Sequence, residues 1–145
     1  MLRIFSVLFF GMVTISCAAG PLPGENTRNT DPQMVLKRTW QWESTITPVE
    51  KITVSAPERY TILLAENGRL QAQFDCNRGG GDYKISNGKL SFGPLLSTQM
   101  ACPQDSLDRQ FMKDLQRVSS FFLQDGNLYL ELPADSGTMK FRQAY

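Results

Sequence analysis

Tyr60-Thr61-Ile62-Leu63-Leu64-Ala65-Glu66-Asn67-Gly68-Arg69-Leu70-Gln71-Ala72-Gln73-Phe74-Asp75 reads as two strands and the turn between them. Tyr60–Ala65 is β-rich and mostly apolar, and it runs into Asn67-Gly68. That dipeptide is the strongest short hairpin signal and favours a type I′ turn. Leu70, Ala72 and Phe74 then alternate with Gln71, Gln73 and Asp75, the period-2 pattern of a half-buried strand. The same grammar repeats outward along the chain. Asn87-Gly88 joins Asp82–Ser86 to Lys89–Phe92, and Asp125-Gly126-Asn127 joins Phe121–Leu123 to Leu128–Leu132. Asp135-Ser136-Gly137 precedes a last strand, Thr138–Arg142. Upstream, Thr39–Glu43 alternates weakly and carries both tryptophans, and Lys51–Val54 is a short strand.

One helix is expected among the strands. Asp105, just after Pro103, is a good N-cap; Asp108 falls in the first turn and Arg117 in the last, charges that complement the helix dipole. Leu107, Phe111, Leu115 and Val118 form a single apolar stripe, which reads as core packing against the sheet. The predicted fold class is therefore α+β: a strongly bent, barrel-like antiparallel β-sheet with one covering α-helix. Phe121-Phe122-Leu123 tests that picture. Alternation buries only one of the two phenylalanines on a single-faced sheet. Either both faces are covered, with the helix as the available cover, or one Phe is an exposed contact patch.

The N-terminus has a different character. Arg3 precedes an apolar stretch, Ile4–Ile15, too short to span the roughly 30 Å of a bilayer core as a helix. It fits the apolar region of a signal peptide over residues 1–16. Thr14-Ile15-Ser16-Cys17 resembles the lipobox cut by the bacterial lipoprotein signal peptidase, although Thr14 stands where Leu is usual. Cys17 is then the lipidation site, and several acyl chains on one residue exceed what stable membrane anchoring requires. The alternative is ordinary cleavage near Ala18 or Ala19, giving a soluble periplasmic protein. Residues 17–33 are rich in Pro, Gly, Asn and Thr and too poor in apolar side chains to offset their ordering entropy, so they read as a flexible tether. Residues 34–145 remain as one domain.

Charge and cysteine count bound the rest. The chain has 15 basic and 14 acidic residues and no histidine. Without Arg3 the counts balance, and no basic stripe marks a nucleic-acid partner. Three cysteines are an odd number for an exported protein. Lipid on Cys17 leaves Cys76 and Cys102 to pair in an oxidising compartment, closing a loop worth about 3–4 kcal/mol in the chain-entropy model. Two free buried thiols are the other reading. Zinc is disfavoured, because only two thiols and no histidine are available.

The middle of the chain is more specific. Phe74-Asp75-Cys76-Asn77-Arg78-Gly79-Gly80-Gly81-Asp82-Tyr83 is followed by Leu90, Phe92 and then Ser97-Thr98-Gln99-Met100-Ala101-Cys102-Pro103. Phe111 and Leu115, Leu128-Tyr129-Leu130 and Met139-Lys140-Phe141 come after. This pattern resembles the META domain, the family that includes the heat-shock-inducible HslJ-like proteins, and it covers nearly the whole globular part. Asp75 departs from it, standing where many members have Gly. The resemblance implies a small β-rich fold, a bacterial envelope setting, no established enzymatic activity, and an association with stress.

Candidate chemistry is sparse. Asn77-Arg78-Gly79-Gly80-Gly81 could cradle an anion in a nest of backbone N–H groups with Arg78 adding charge. The plainer reading is a strand connection needing positive φ, with Asn77 bonding local backbone. Thr98 is expected to hydrogen-bond the Cys76–Asn77 loop and fix it. Asp75, Asn77 and Asp82 offer too few ligands for calcium. Without histidine there is no Ser–His or Cys–His nucleophile pair, and no two carboxylates sit in a recognisable motif. Tyr129 and Glu131 read as the outer face of a strand. The expectation is a monomeric envelope lipoprotein, lipid-held at the outer membrane and facing the periplasm. It would have no catalytic residues, metal or cofactor, and a binding or stress-protective role with an envelope protein partner. Two other functions are carried alongside: an inhibitor of an envelope or host hydrolase, and a soluble periplasmic enzyme using paired carboxylates.

Overall fold

The computed structural model describes residues 27–145. The expected signal segment and Cys17 lie outside the described residues. The Tyr60–Asp75 hairpin forms β3 (Tyr60–Leu64) and β4 (Arg69–Phe74), paired antiparallel with Tyr60 opposite Phe74 and Leu64 opposite Leu70. Tyr60, Ile62, Leu64, Leu70, Ala72 and Phe74 all point into the core. Their turn is not type I′. Ala65 C=O accepts from Gly68 N–H, and Gly68 (φ 78°) has positive φ while Asn67 does not. The three-residue loop Glu66-Asn67-Gly68 is a type I turn closed by a glycine bulge, a geometry that needs only one left-handed residue. The other two turns link their strands with two residues each, and there both residues are left-handed: Asn87 and Gly88, Asp125 and Gly126.

The remaining strands are β1 (Thr39–Ile46), β2 (Lys51–Thr53), β5 (Asn77–Ser86), β6 (Lys89–Phe92), β7 (Leu96–Ser97), β8 (Ser120–Gln124), β9 (Asn127–Glu131) and β10 (Thr138–Gln143). β1 pairs with both β3 and β10, so β1-β3-β4-β5-β6-β8-β9-β10 closes into an eight-stranded antiparallel barrel. Closure removes most of the edge an open sheet would expose, although β8 pairs with β6 at Ser120 alone. β2 adds to β1 and β7 to β5, outside the ring. The expected bent, barrel-like sheet is thus a closed barrel, and the described residues are mostly β with one α-helix.

Trp40, Trp42, Leu128, Leu130, Met139 and Phe141 fill the interior from alternate positions. Both indoles are satisfied: Trp40 Nε1 donates to Val35 C=O and Trp42 Nε1 to Thr45 Oγ1, each at 3.0 Å. A bulge at Glu43 in the β1–β10 ladder shifts the alternation, so that Thr45, opposite Met139, faces inward and comes within reach of Trp42.

The helix, α1 (Asp108–Leu115), starts later than Asp105 capping predicts. Cys102 is tied by a disulfide, and the Leu107 N–H donates to the Tyr60 hydroxyl at 2.9 Å. The chain between these anchors spends Pro103–Ser106 on a separate turn. Arg117 lies beyond the helix and donates to Ser136 Oγ. The predicted stripe is intact: Phe111, Leu115 and Val118 are buried and Leu107 packs against the core. Phe111 enters the barrel end, stacked on Trp42 at 4.9 Å and edge-on to Tyr60 at 5.8 Å.

The opposite end is closed by the segment before β1. Asp31 caps a short 3₁₀ turn, Pro32–Met34, and Val35 is fully buried. Docking begins earlier still, with Asn29 bridged to Leu123, inside the stretch whose composition reads as a tether. This segment also resolves Phe121-Phe122. Phe121 faces the core, whereas Phe122 faces outward yet is buried by Tyr129, stacked at 4.7 Å, and by the Arg28 guanidinium, 4.4 Å from its ring centre. The cover on the outer face is the N-terminal segment, not the helix. Among the described residues no helix is long and apolar enough to cross a membrane.

Candidate functional site

The glycine run was expected to be a left-handed connection, and it is instead extended strand. None of Gly79, Gly80 and Gly81 has positive φ. They lie in β5 between β4 and β7, and the reason for glycine is close backbone approach. A Cβ on Gly79 would sit 1.8 Å from Leu96 O, and one on Gly80 1.9 Å from Leu70 O. The positive φ falls at Asp75 (60°), in the two-residue link between Phe74 and Asn77. With these residues in the ladder and Arg78 N–H donated to Thr98 Oγ1, the run forms no anion cradle.

Cys76, next to Asp75, is bonded to Cys102, with Cα atoms 5.5 Å apart. Asn77 then ties the arriving loop to β5. Its Oδ1 accepts from Met100 N–H at 2.7 Å and from the Thr98 hydroxyl at 2.9 Å. Its Nδ2 donates to Met100 C=O and to Cys102 Sγ, each at 3.2 Å. The carboxamide is buried, and all of these partners belong to one loop. Thr98 adds a second tie, its N–H donating to Arg78 C=O at 3.0 Å. The structure therefore brings Cys76, Asn77, Thr98 and Cys102 together. Arg78 joins through its backbone only; its side chain lies on the outer barrel wall beside Thr61 and Gln73.

Sequence reasoning missed the ion pair beneath the loop. Arg59 grips Asp75 with two bonds of 2.6 Å, Nε to Oδ1 and Nη2 to Oδ2. Burial pushes the Asp75 carboxyl up, but the Arg59 fork, with hydrogen bonds from Ser106 and Tyr60, outweighs it and holds the carboxyl below its ordinary value. The hydrogen bond to Asp75 raises Arg59 in turn. Nothing in Ala56-Pro57-Glu58-Arg59 announces a partner sixteen residues away. The pair satisfies the buried carboxylate that stands where related patterns have glycine.

Between this loop and α1 lies an open cleft of about 450 Å³. Phe74, Asn77, Thr98, Met100, Arg109 and Met112 shape it, and among the described residues Asp108 is the only carboxylate lining it. A single carboxylate beside an arginine offers contact and charge recognition rather than paired acid–base chemistry. Asp75 and Asp82, weighed for calcium, are engaged by Arg59 and Arg69. Among the described residues no group of three or more His, Cys, Asp or Glu is placed to hold a metal ion. Met100 (59% exposed), at the cleft, and Leu96 (78%), on the adjoining barrel wall with Arg69, Gln71 and Pro94, project from the fixed loop into solvent.

Solved structures share this architecture. An NMR structure of a protein from Burkholderia xenovorans matches with TM-score 0.66 at 21% identity, over 93% of this chain and 99% of its own. A second NMR structure matches with TM-score 0.57 at 23% identity, over 77% of this chain and 93% of its own. A DUF4847 family protein from Bacteroides vulgatus also matches at 0.57, with 10% identity, over 76% of this chain and 94% of its own. At these identities the likeness concerns the fold. No curated protein matches the chain. The sequence pattern of the META domain matches residues 33–145, the barrel together with its disulfide-tied loop. The chain belongs to the META domain family.

Proposed function

We propose that this is an exported, lipid-anchored envelope protein, acylated at Cys17, whose META domain is a non-catalytic binding module with a protective role in the envelope. Its contact surface is the stapled loop Leu96–Cys102 with the cleft beside it, and α1 is the cover of that barrel end. One observation carries this reading. The disulfide and the Asn77 network fix a loop that holds Leu96 and Met100 in solvent. A preorganised apolar contact loses little entropy on binding, and methionine adapts to its partner's shape. The chain path supports the orientation. The described chain begins beside Asp125 and Gly126, at the barrel end opposite the stapled loop. The eleven residue-to-residue steps from Cys17 to Arg28 reach at most about 40 Å when extended. A lipid at Cys17 then leaves the stapled end facing away from the membrane.

Site-specific photocrosslinking in cells tests the surface. A probe replacing Met100 should give a discrete protein adduct that a probe at exposed Lys84, on the barrel wall, does not. Equal adducts from both, or none from Met100, would sink the reading. For the anchor, Cys17→Ser should abolish lipid labelling and leave the precursor uncleaved; normal processing would favour the soluble protein. Turnover of an envelope substrate that is lost in Asp108→Asn would overturn the non-catalytic assignment.

One observation favours the hydrolase-inhibitor reading. At the β1–β2 tip Val49 is 90% exposed. Thr47 Oγ1 accepts from the N–H groups of Val49 and Glu50, and Thr47 N–H donates to Glu50 C=O. A rigid loop offering one apolar side chain is suited to entering a hydrolase subsite. Inhibition that Val49→Asp abolishes would support this reading; equal inhibition by that variant would refute it.

A further inference from the structure

β8 is paired unequally on its two sides. Toward β9 it makes five residue pairs, from Ser120 opposite Glu131 to Gln124 opposite Asn127. Toward β6 it makes one, Ser120 opposite Lys89, supplemented by Phe121 N–H to Gly88 C=O. Beyond the Asn87-Gly88 turn β6 has ended, and Phe122–Gln124 faces a gap. Arg28–Thr30 fills it. Asn29 N–H donates to Leu123 C=O at 2.9 Å, and Leu123 N–H donates to Asn29 C=O at 2.7 Å. Arg28 lies over Phe122 and reaches Glu131 at 3.7 Å. Thr30 lies against Gly88.

This strap brings no apolar side chain to the barrel. It is held by one backbone bridge, one cation over a ring and one half-exposed ion pair. What it covers is the aromatic edge of a strand whose sequence, Ser120-Phe121-Phe122-Leu123-Gln124, would otherwise offer itself for pairing. An edge completed by a short polar segment is the arrangement that strand-addition sites present to extended peptides, where main-chain bonds give affinity and side-chain positions give selectivity.

We propose that the open edge of β8 is a strand-addition site, occupied in cis by Arg28–Thr30, that takes in trans an extended peptide with a basic side chain at the position of Arg28. The cis segment shows the chemistry recognised. A backbone N–H and C=O engage Leu123. A cation sits on the Phe122 face and toward Glu131, whose other carboxylate oxygen is oriented by the Ser120 hydroxyl at 2.6 Å. A small residue fits against Gly88. The strap competes at the high effective concentration of a tethered ligand, so a free peptide binds well only when the strap is released. This site lies on the barrel wall near the strap, apart from the stapled loop, and does not depend on what that loop binds.

The test is NMR titration of the purified full chain in detergent with a synthetic peptide of residues 25–33. Asn29→Pro removes the bridging N–H and releases the strap. That variant should bind the peptide at least about tenfold more tightly than the unaltered chain, the margin expected when a tethered competitor is removed. Amide shifts should be confined to Gly88 and Phe122–Gln124. The same peptide with Arg28→Gln should bind the variant about threefold more weakly, the scale of one exposed cation–ring contact. Absence of binding to the variant, equal binding of the Gln peptide, or shifts centred elsewhere would each overturn the proposal. If Asn29→Pro loses its dispersed spectrum, Arg28→Ala keeps the backbone and decides it. That chain should bind the unaltered peptide about threefold more tightly than the original does, again the scale of one cation–ring contact. Equal binding would overturn it.

Discussion

The β4–β5 seam and the β6–β8 seam close the same barrel by different means. Between β4 and β5 six residue pairs run from Arg69 opposite Asp82 to Phe74 opposite Asn77. Backbone crowds so closely over Gly79 and Gly80 that no side chain fits, and the seam ends in a disulfide and a fully bonded Asn77. Between β6 and β8 there is one pair, and the remaining length of β8 is completed by a polar strap. Dense backbone contact and a covalent tie hold a surface loop rigid at the first seam. Weak, replaceable contacts cover an aromatic edge at the second. One barrel is thus over-determined where it presents a loop and under-determined where it receives a strand.

The largest loss of stability is expected from a side chain placed in the first seam. Gly80→Val would force β4 and β5 apart, because a Cβ there would meet Leu70 O at 1.9 Å. A loss of about 4 kcal/mol or outright failure to fold is expected, beyond ordinary overpacking because the obstacle is main chain. Urea unfolding reads this directly, and a loss under 1 kcal/mol, on the order of a mild core swap, would mean that the strands are not so close. Next comes the staple. Cys76→Ser with Cys102→Ser should remove about 3–4 kcal/mol by restoring entropy to the unfolded chain. Thiol counting on the denatured, unreduced protein should find neither cysteine free. Asn77→Ala should lower stability by about 2 kcal/mol, because Met100 N–H and C=O lose their partner.

How legible was this from sequence? The hairpin patterns, the inward set of Leu70, Ala72 and Phe74, and the apolar stripe of α1 were all readable, because local periodicity reflects burial on one face. The failures have physical causes. Asn67-Gly68 predicts a primed turn, but a loop one residue longer closes through Gly68 alone. Gly79–Gly81 looks like a flexible connection because close approach by another strand leaves no local trace. Phe122 breaks alternation because its cover comes from Arg28, nearly a hundred residues away. Arg59 and Asp75 meet only once β3 and β4 are paired. At the stapled site the cysteines, Asn77 and Thr98 were named from local pattern, whereas the cleft needed the helix in place.

The Arg59–Asp75 pair makes the first seam sensitive to pH. The folded carboxyl lies below its ordinary 3.8. Its contribution is therefore complete above that value and is lost as pH falls through the lower folded-state value. The midpoint denaturant concentration should drop in acid for the unaltered chain, and Asp75→Asn should show a shallower drop; parallel curves would remove the pair from the account. The smallest effect belongs to the second seam. Arg28→Ala should cost only about 0.5 kcal/mol globally, the scale of an exposed cation–ring contact and a surface ion pair.

Native-state hydrogen exchange, amide by amide, tests the difference between the seams most directly. The account predicts that amides of β4 and β5 between Arg69 and Tyr83 exchange only by global unfolding, while Asn29 and Leu123 exchange through a local opening several kcal/mol lower in free energy, on the order of a strap closed by one bridge. Equal protection at Leu123 and in β4–β5, or early opening of β5, would contradict it.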